Sequence, residues 1–133
     1  TALPLGNIKP EGMLLKMLEI QRDGLTGNMD EAYEVVCGDN NGWLGGTGDG
    51  WERGPYWIDG LYPLAKLLAD PKLEAKAMQW IEWTLNNQRE SGQIGPYTLS
   101  PEDRTRPKPR GAQTIAPDDW WPRMVMLKIL QQQ

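Results

Sequence analysis

PYWIDGLYPLAKLLADPKLEAKAMQWIEWTLNNQ, residues 55–88, decides the fold class. In its first half Ile58, Leu61, Leu64, Ala65 and Leu68 recur at the three- and four-residue spacing of one helical face, and Pro55 suits a first turn. Pro63 is expected to bend this helix or to split off its first turn. Asp70-Pro71 then reads as an N-cap followed by a first-position proline. The helix they open carries the stripe Leu73, Ala77, Trp80, Ile81, Thr84, Leu85 and Gln88, and is expected to end at Ser91-Gly92. Two helices joined by so few residues should lie antiparallel, as an αα-hairpin.

The same period extends outward on both sides. Pro10 and Glu11 suit a first turn, after which Met13, Leu14, Met17, Leu18 and Gln21 share a face until Gly24 breaks the run. A weaker helical stretch runs from Met29 to Val36, with Asn28 or Asp30 as candidate caps. Residues 37–54 are rich in Gly and Asn and read as a loop, and residues 92–118 as a second, longer one that is expected to be functional or partly mobile. A last helix is expected from Asp119 or Pro122, with Met124, Val125, Leu127, Lys128 and Leu130 distributed between its faces. Gln131 to Gln133 carry no stop signal, which predicts a longer parent polypeptide, the alternative being a true C-terminal helix that frays, and the lack of Met at Thr1 predicts a processed or truncated start. The fold class is therefore all-α.

Composition narrows the functions. The 133 residues suffice for one domain with a moderate core, and a net charge of −4 spread along the chain leaves no basic stripe to neutralise phosphates. The one basic cluster, Arg104 to Arg110, sits in a Pro-rich stretch that reads as a solvated loop, so nucleic acid is not an expected partner. No run of about 18 apolar residues is present to cross a bilayer, and the first residues do not read as a signal peptide. Cys37 has no second Cys and no His for company, so it reads as a small buried residue and no metal site is expected in this chain.

Seven Trp against no Phe draw attention to residues 45–60, GGTGDGWERGPYWIDG. Trp51, Tyr56 and Trp57 offer ring faces, while Glu52, Arg53 and Asp59 offer charge-assisted hydrogen bonds. That combination suits a cleft for a hydroxyl-rich ring such as a sugar. The competing reading is equally physical: rings at a helix start commonly serve the core, and an Arg beside a Glu is commonly a structural ion pair. The glycines do not form a phosphate cradle, because no Gly-Lys-Ser/Thr ending and no preceding strand accompany them.

Four strings in order, LPLGNIKPEG (3–12), LEIQRDGLTG (18–27), GWLGGTGDGWERGPYW (42–57) and DWWPRMVMLK (119–128), resemble the N-terminal part of bacterial β-L-arabinofuranosidase-like glycoside hydrolases. That resemblance spans essentially the whole chain and implies an (α/α)6 toroid of the six-hairpin glycosidase type, of which residues 1–133 form the opening, incomplete portion. Residues 51–57 are also similar to the Trp-x-Arg-Gly-x-x-Trp motif of unsaturated-uronyl hydrolases, where it lies at the cleft. By that likeness Trp51, Arg53, Tyr56, Trp57 and Asp59 line a carbohydrate cleft, with Asp118, Asp119, Trp120 and Trp121 as a second wall. For those last residues the alternative is an acidic first helical turn with two packing rings.

Catalytic roles carry over poorly. The family's chemistry implies a Cys nucleophile held by zinc with further Cys and Glu ligands, beyond the matched part, so zinc is expected only in a full-length member and Cys37 is not assigned that role. A carboxylate pair would have to come from Glu52, Asp59, Asp49 and Asp119. Retaining enzymes hold their carboxyls about 5 Å apart and inverting ones about 6.5–9.5 Å. Glu52 and Asp59 on one helix would stand about 10 Å apart along its axis, and Gly54-Pro55 disturbs even that. Where relatives carry Asp-Gly-Trp-Phe-Gly-Pro, this chain has Ser91-Gly-Gln-Ile-Gly-Pro96, which puts the sugar's identity in doubt.

The expectations are thus part of a glycoside hydrolase, secreted or periplasmic because polymers are degraded outside the cytoplasm. The alternative is a non-catalytic helical module that binds sugar or packs on a partner. In either case the helix faces of an incomplete ring call for the remainder of the parent polypeptide as cover.

Overall fold

A computed structural model of the chain describes residues 3–96, 107, 109–113 and 119–133. The regular structure among them is helical: α1 (Gly12–Asp23), α2 (Leu25–Ala32), α3 (Glu34–Cys37), a 3-10 turn (Gly42–Leu44), α4 (Arg53–Leu68), α5 (Pro71–Asn86) and α6 (Trp121–Leu130). The chain is all-α. Among the described residues every other α-helix packs against α4, which carries the largest share of the core on Trp57, Ile58, Leu61, Tyr62, Leu64 and Ala65.

Helix α4 starts at Arg53, two residues before the proline expected to open it, and runs unbroken through Pro63. The chain then reverses at Ala69, whose left-handed backbone (φ 51°, ψ 43°) lets its amide reach the Ala65 and Lys66 carbonyls. Asp70 caps α5 as its sequence predicts, accepting from the amides of Lys72 (2.9 Å) and Leu73 (3.1 Å), with Pro71 behind it. Contacts between α4 and α5 run in opposite senses: late Lys66 meets early Glu74, while early Gly54 lies against Trp80.

Three expectations need correction. On α1, Met13, Leu14, Met17 and Gln21 of the expected stripe face solvent, as does Ile20, and only Leu18 of it joins the half-buried side, with Leu15, Glu19 and Arg22. Both faces are apolar enough to serve, and contact with α2 and α4 selects the second. The stretch near Met29 divides into α2 and α3 at Tyr33, and Asn28 does not cap it. Instead, Asn28 sits inside α2 with non-helical backbone, its side-chain amide donating to the Asp23 and Gly24 carbonyls. Helix α5 stops at Asn86, because Asn87 turns its side chain back to the Trp83 carbonyl, leaving Leu85 and Gln88 exposed. The expected loop is present between α3 and α4, over residues 38–52, and is packed: its 3-10 turn is capped by fully buried Asn41, accepting from Trp43 (2.7 Å) and Leu44 (3.1 Å). It delivers Trp43 to the core, where the indole donates to the Trp51 carbonyl at 2.8 Å.

Glycine is required where α4 meets α5. A Cβ on Gly54 would stand 2.5 Å from the Trp80 ring, whereas one on Gly60 meets nothing within 4 Å. Gly54→Ala should therefore cost about 2–3 kcal/mol through overpacking, while Gly60→Ala should gain about 0.5–1 kcal/mol from helix propensity. Urea unfolding of the two variants beside the parent checks both signs.

Candidate functional site

Two arrangements meet at the head of α4. The first is a clasp around Asp49, a carboxylate only 1% exposed. Its Oδ1 accepts from Arg53 Nη2 at 2.6 Å and from the Gln113 amide at 2.6 Å, and its Oδ2 accepts from the Trp51 amide at 3.2 Å. Arg53 also donates to the Tyr33 hydroxyl (2.7 Å) and the Gly111 carbonyl (2.6 Å), with its guanidinium 5.6 Å from the Tyr33 ring centre. Gly50 completes the tie by donating to the Gln113 carbonyl at 2.7 Å. Burial works against the charge on Arg53, but the hydrogen bond and charge of Asp49, helped by Tyr33, raise its pKa above the ordinary arginine value.

The second is the seam, here called the furrow, along which α4 and α6 lie in contact. Both helices begin beside the Ile94–Pro96 turn: Arg123, buried near the start of α6, donates to the Ile94 carbonyl at 2.9 Å, and Pro96 abuts Gly50 just ahead of α4. Farther along, Asp59 accepts from Lys128 (2.7 Å) and Gln132 (2.8 Å), so the two helices run side by side in the same direction. Tyr56 stands one turn before Asp59 on the same edge of α4, and Trp121 two turns before Lys128 on the same edge of α6. Their rings are 50% and 52% exposed.

The sequence candidates thus separate. Tyr56 and Trp121 are exposed on the two helices of that seam, and Asp59 ties the helices together across it. Trp57 does not line it: the ring is 8% exposed, meets Trp80 edge-on at 5.8 Å, and donates its N–H to the Thr26 carbonyl at 2.7 Å. One residue along a helix turns a side chain by roughly 100°, so burial of Trp57 leaves Tyr56 outside. Trp120 is exposed on the adjoining face of α6. Trp51 is half-buried and Arg53 is held in the clasp. Glu52 precedes α4, with Oε2 buried and without a hydrogen-bond partner. Asp119 accepts from the Trp121 amide at 3.1 Å and so satisfies the start of α6. Asp118 and most of the 92–118 loop beyond Pro96 lie outside the described residues.

The sequence reading missed Tyr33 and Trp43, whose partners lie in other segments. It also placed Asp49 only among spare carboxylates. Among the described residues no group of three or more His, Cys, Asp or Glu could hold a metal ion. Cys37 is buried, and burial, with the Asp30 and Asp49 charges adding to it, pushes its thiol up to about 12. It carries no thiolate at neutral pH. No helix among the described residues is long and apolar enough to cross a membrane. Comparisons with family models, with curated proteins and with solved structures each returned no match.

Asp49→Asn should cost about 2–4 kcal/mol by leaving Arg53 without its counter-charge. It should also speed amide hydrogen exchange at Gly50 and Gln113 more than at Ile81 in α5. The Cys37 thiol supplies a second check. Between its ordinary value of 9.0 and about 12 the folded chain keeps a proton that the unfolded chain releases, so stability falls as pH rises through that window. Urea midpoints measured upward from pH 9 should fall less steeply in Cys37→Ala than in the parent.

Proposed function

We propose that this chain is the opening part of an (α/α)6 toroid in a glycoside hydrolase of the β-L-arabinofuranosidase-like kind, and that the α4–α6 furrow forms one wall of its sugar cleft. The observation that carries the reading is the pair of rings left open at the head of two parallel helices. Tyr56 and Trp121 belong to residue types whose large apolar faces favour burial, and a sugar's C–H face is a suitable cover for them. Lys128 and Asp59 lie farther along the furrow, where hydroxyl groups could exchange hydrogen bonds with them.

Architecture supports the same reading. Helices α4 and α5 pair in opposite senses as one αα-hairpin of the ring, α6 begins the next inner position, and α1 and α6 each leave an apolar stripe uncovered. A segment of a helical ring has such faces at its two ends, where the remainder of a parent polypeptide would pack. Catalysis would then rest on groups supplied by that remainder, zinc ligands included. Secretion or a periplasmic location follows from a polymeric substrate.

One observation favours the second reading, a module that binds sugar without cleaving it. Asp59 is tied to Lys128 and Gln132, Asp119 to the start of α6, and Asp49 to Arg53, so these three candidate carboxylates serve structural bonds. Titration of L-arabinose and methyl β-L-arabinofuranoside, followed by Trp indole and Tyr ring resonances, tests the shared part of both readings. Tyr56→Ala and Trp121→Ala should each weaken binding about tenfold, equivalent to about 1.4 kcal/mol, with the fold retained. Hydrolysis of an aryl β-L-arabinofuranoside by a longer polypeptide carrying this chain, lost in step with binding, selects the hydrolase. Shifts at neither ring would end the cleft assignment.

A further inference from the structure

Of the four carboxylates weighed as site residues, three are consumed by the fold. Asp49 holds Arg53 and two amides, Asp59 takes Lys128 and Gln132 on its two oxygens, and Asp119 accepts from the Trp121 amide. Glu52 is the exception: its Oε2 is shut off from water and has no hydrogen-bond partner. Carboxylate oxygens in that condition are rare, because burial strips away water without returning a donor.

The orphan oxygen belongs to the edge of α4 that carries the open ring. Glu52 has helical backbone (φ −74°, ψ −20°), and its carbonyl accepts the Tyr56 amide at 2.9 Å, so helical spacing extends back to it. Residues four apart on a helix are neighbours, with Cβ atoms about 5–6 Å apart. Glu52, Tyr56 and Asp59 therefore follow one another along one edge, the edge on which Asp59 meets Lys128 of α6. A sugar stacked on exposed Tyr56 would present its rim to Glu52 on one side and to Asp59 on the other. Asp59 has both oxygens engaged, which leaves Glu52 as the open acceptor. The Glu52 side chain as a whole is only half-buried, and the broad torsion of its last bond lets an oxygen swing to such a rim.

The next residue narrows the chemistry of the occupant. Arg53 is held in the clasp by its terminal nitrogens and leaves Nε buried and unmatched. An acceptor and a donor left over on consecutive residues call for a group that both takes and gives a hydrogen bond. A hydroxyl does so, whereas a cation would give nothing to Nε and would meet the guanidinium's charge.

We propose that Glu52 is a sugar-binding residue, its carboxylate accepting a hydrogen bond from one hydroxyl of a ligand whose face lies on Tyr56. The inference rests on the sugar reading and adds to it the polar contact that selects among sugars. A buried acceptor discriminates against a ligand lacking the matching hydroxyl, since the acceptor is then left bare.

Two readouts of different kinds test it. Glu52→Met keeps the length of the side chain and removes the orphan oxygen, so its urea midpoint should hold or rise, whereas a structural role for the carboxylate requires a fall. In the titration with methyl β-L-arabinofuranoside the same variant should bind about tenfold more weakly than the parent. Among deoxy forms of that glycoside, each lacking one hydroxyl, the parent should lose about tenfold for one of them, and Glu52→Met should bind that form as it binds the full sugar. Glu52→Gln repeats the measurements should Glu52→Met lose its helical circular dichroism. A variant that binds as the parent does, a lowered midpoint, or a parent indifferent to which hydroxyl is missing, as when water serves Oε2, overturns the proposal. Each of these leaves the cleft reading standing as long as Tyr56 and Trp121 respond to sugar. If neither ring responds in the parent, the cleft reading fails and Glu52 falls with it.

Discussion

The Trp80 indole on the bare backbone of Gly54 sets the geometry of the rest. With no side chain at Gly54, the ring of α5 comes close enough to fix how far α4 is rotated about its own axis. Trp57, three residues on, then turns inward and meets Trp80 edge-on, a favoured arrangement of two aromatic quadrupoles. Once that rotation is set, Ile58, Leu61, Leu64 and Ala65 face the core in succession and Tyr56 and Asp59 are carried to the edge beside α6. One close contact thereby decides which of two adjacent rings is structural and which is open.

The Asp49 clasp does for the loops what Gly54 does for the helices. A buried carboxylate is costly unless its lone pairs are matched, and Asp49 receives a guanidinium and a backbone amide from residues 51–53 and a second amide from distant Gln113. Arg53, the residue of the motif that most invites a ligand role, is spent on holding Asp49, Tyr33 and the Gly111 carbonyl. Beside it Tyr56 and Trp121 stay exposed near the starts of α4 and α6, and farther along Asp59 bonds Lys128 and Gln132.

Much of this was legible in the chain. The caps and stripes of α4 and α5 depend on neighbours three or four residues away, and the Asp70-Pro71 start and the Ile58–Leu68 stripe stand where the period puts them. The candidate site was legible in part: the string 51–59 does sit at a helix head, and Tyr56 and Trp121 are open. Trp57 and Arg53 were not separable from them, because a tryptophan that stacks on a ligand and one that packs on Trp80 are the same letter. The exposed face of α1 misled for a related reason, since both of its sides carry Leu, Ile or Met.

By itself the sequence determined local choices: all-α structure, the helix starts that a side chain or proline can specify, and which residues share a face. Tertiary structure alone decided which face turns inward, which polar groups are consumed, and which rings remain free. The reason is range. Periodicity and capping act within one or two helical turns, whereas the contacts that orient α4 and hold Asp49 join residues 26, 31 and 64 positions apart.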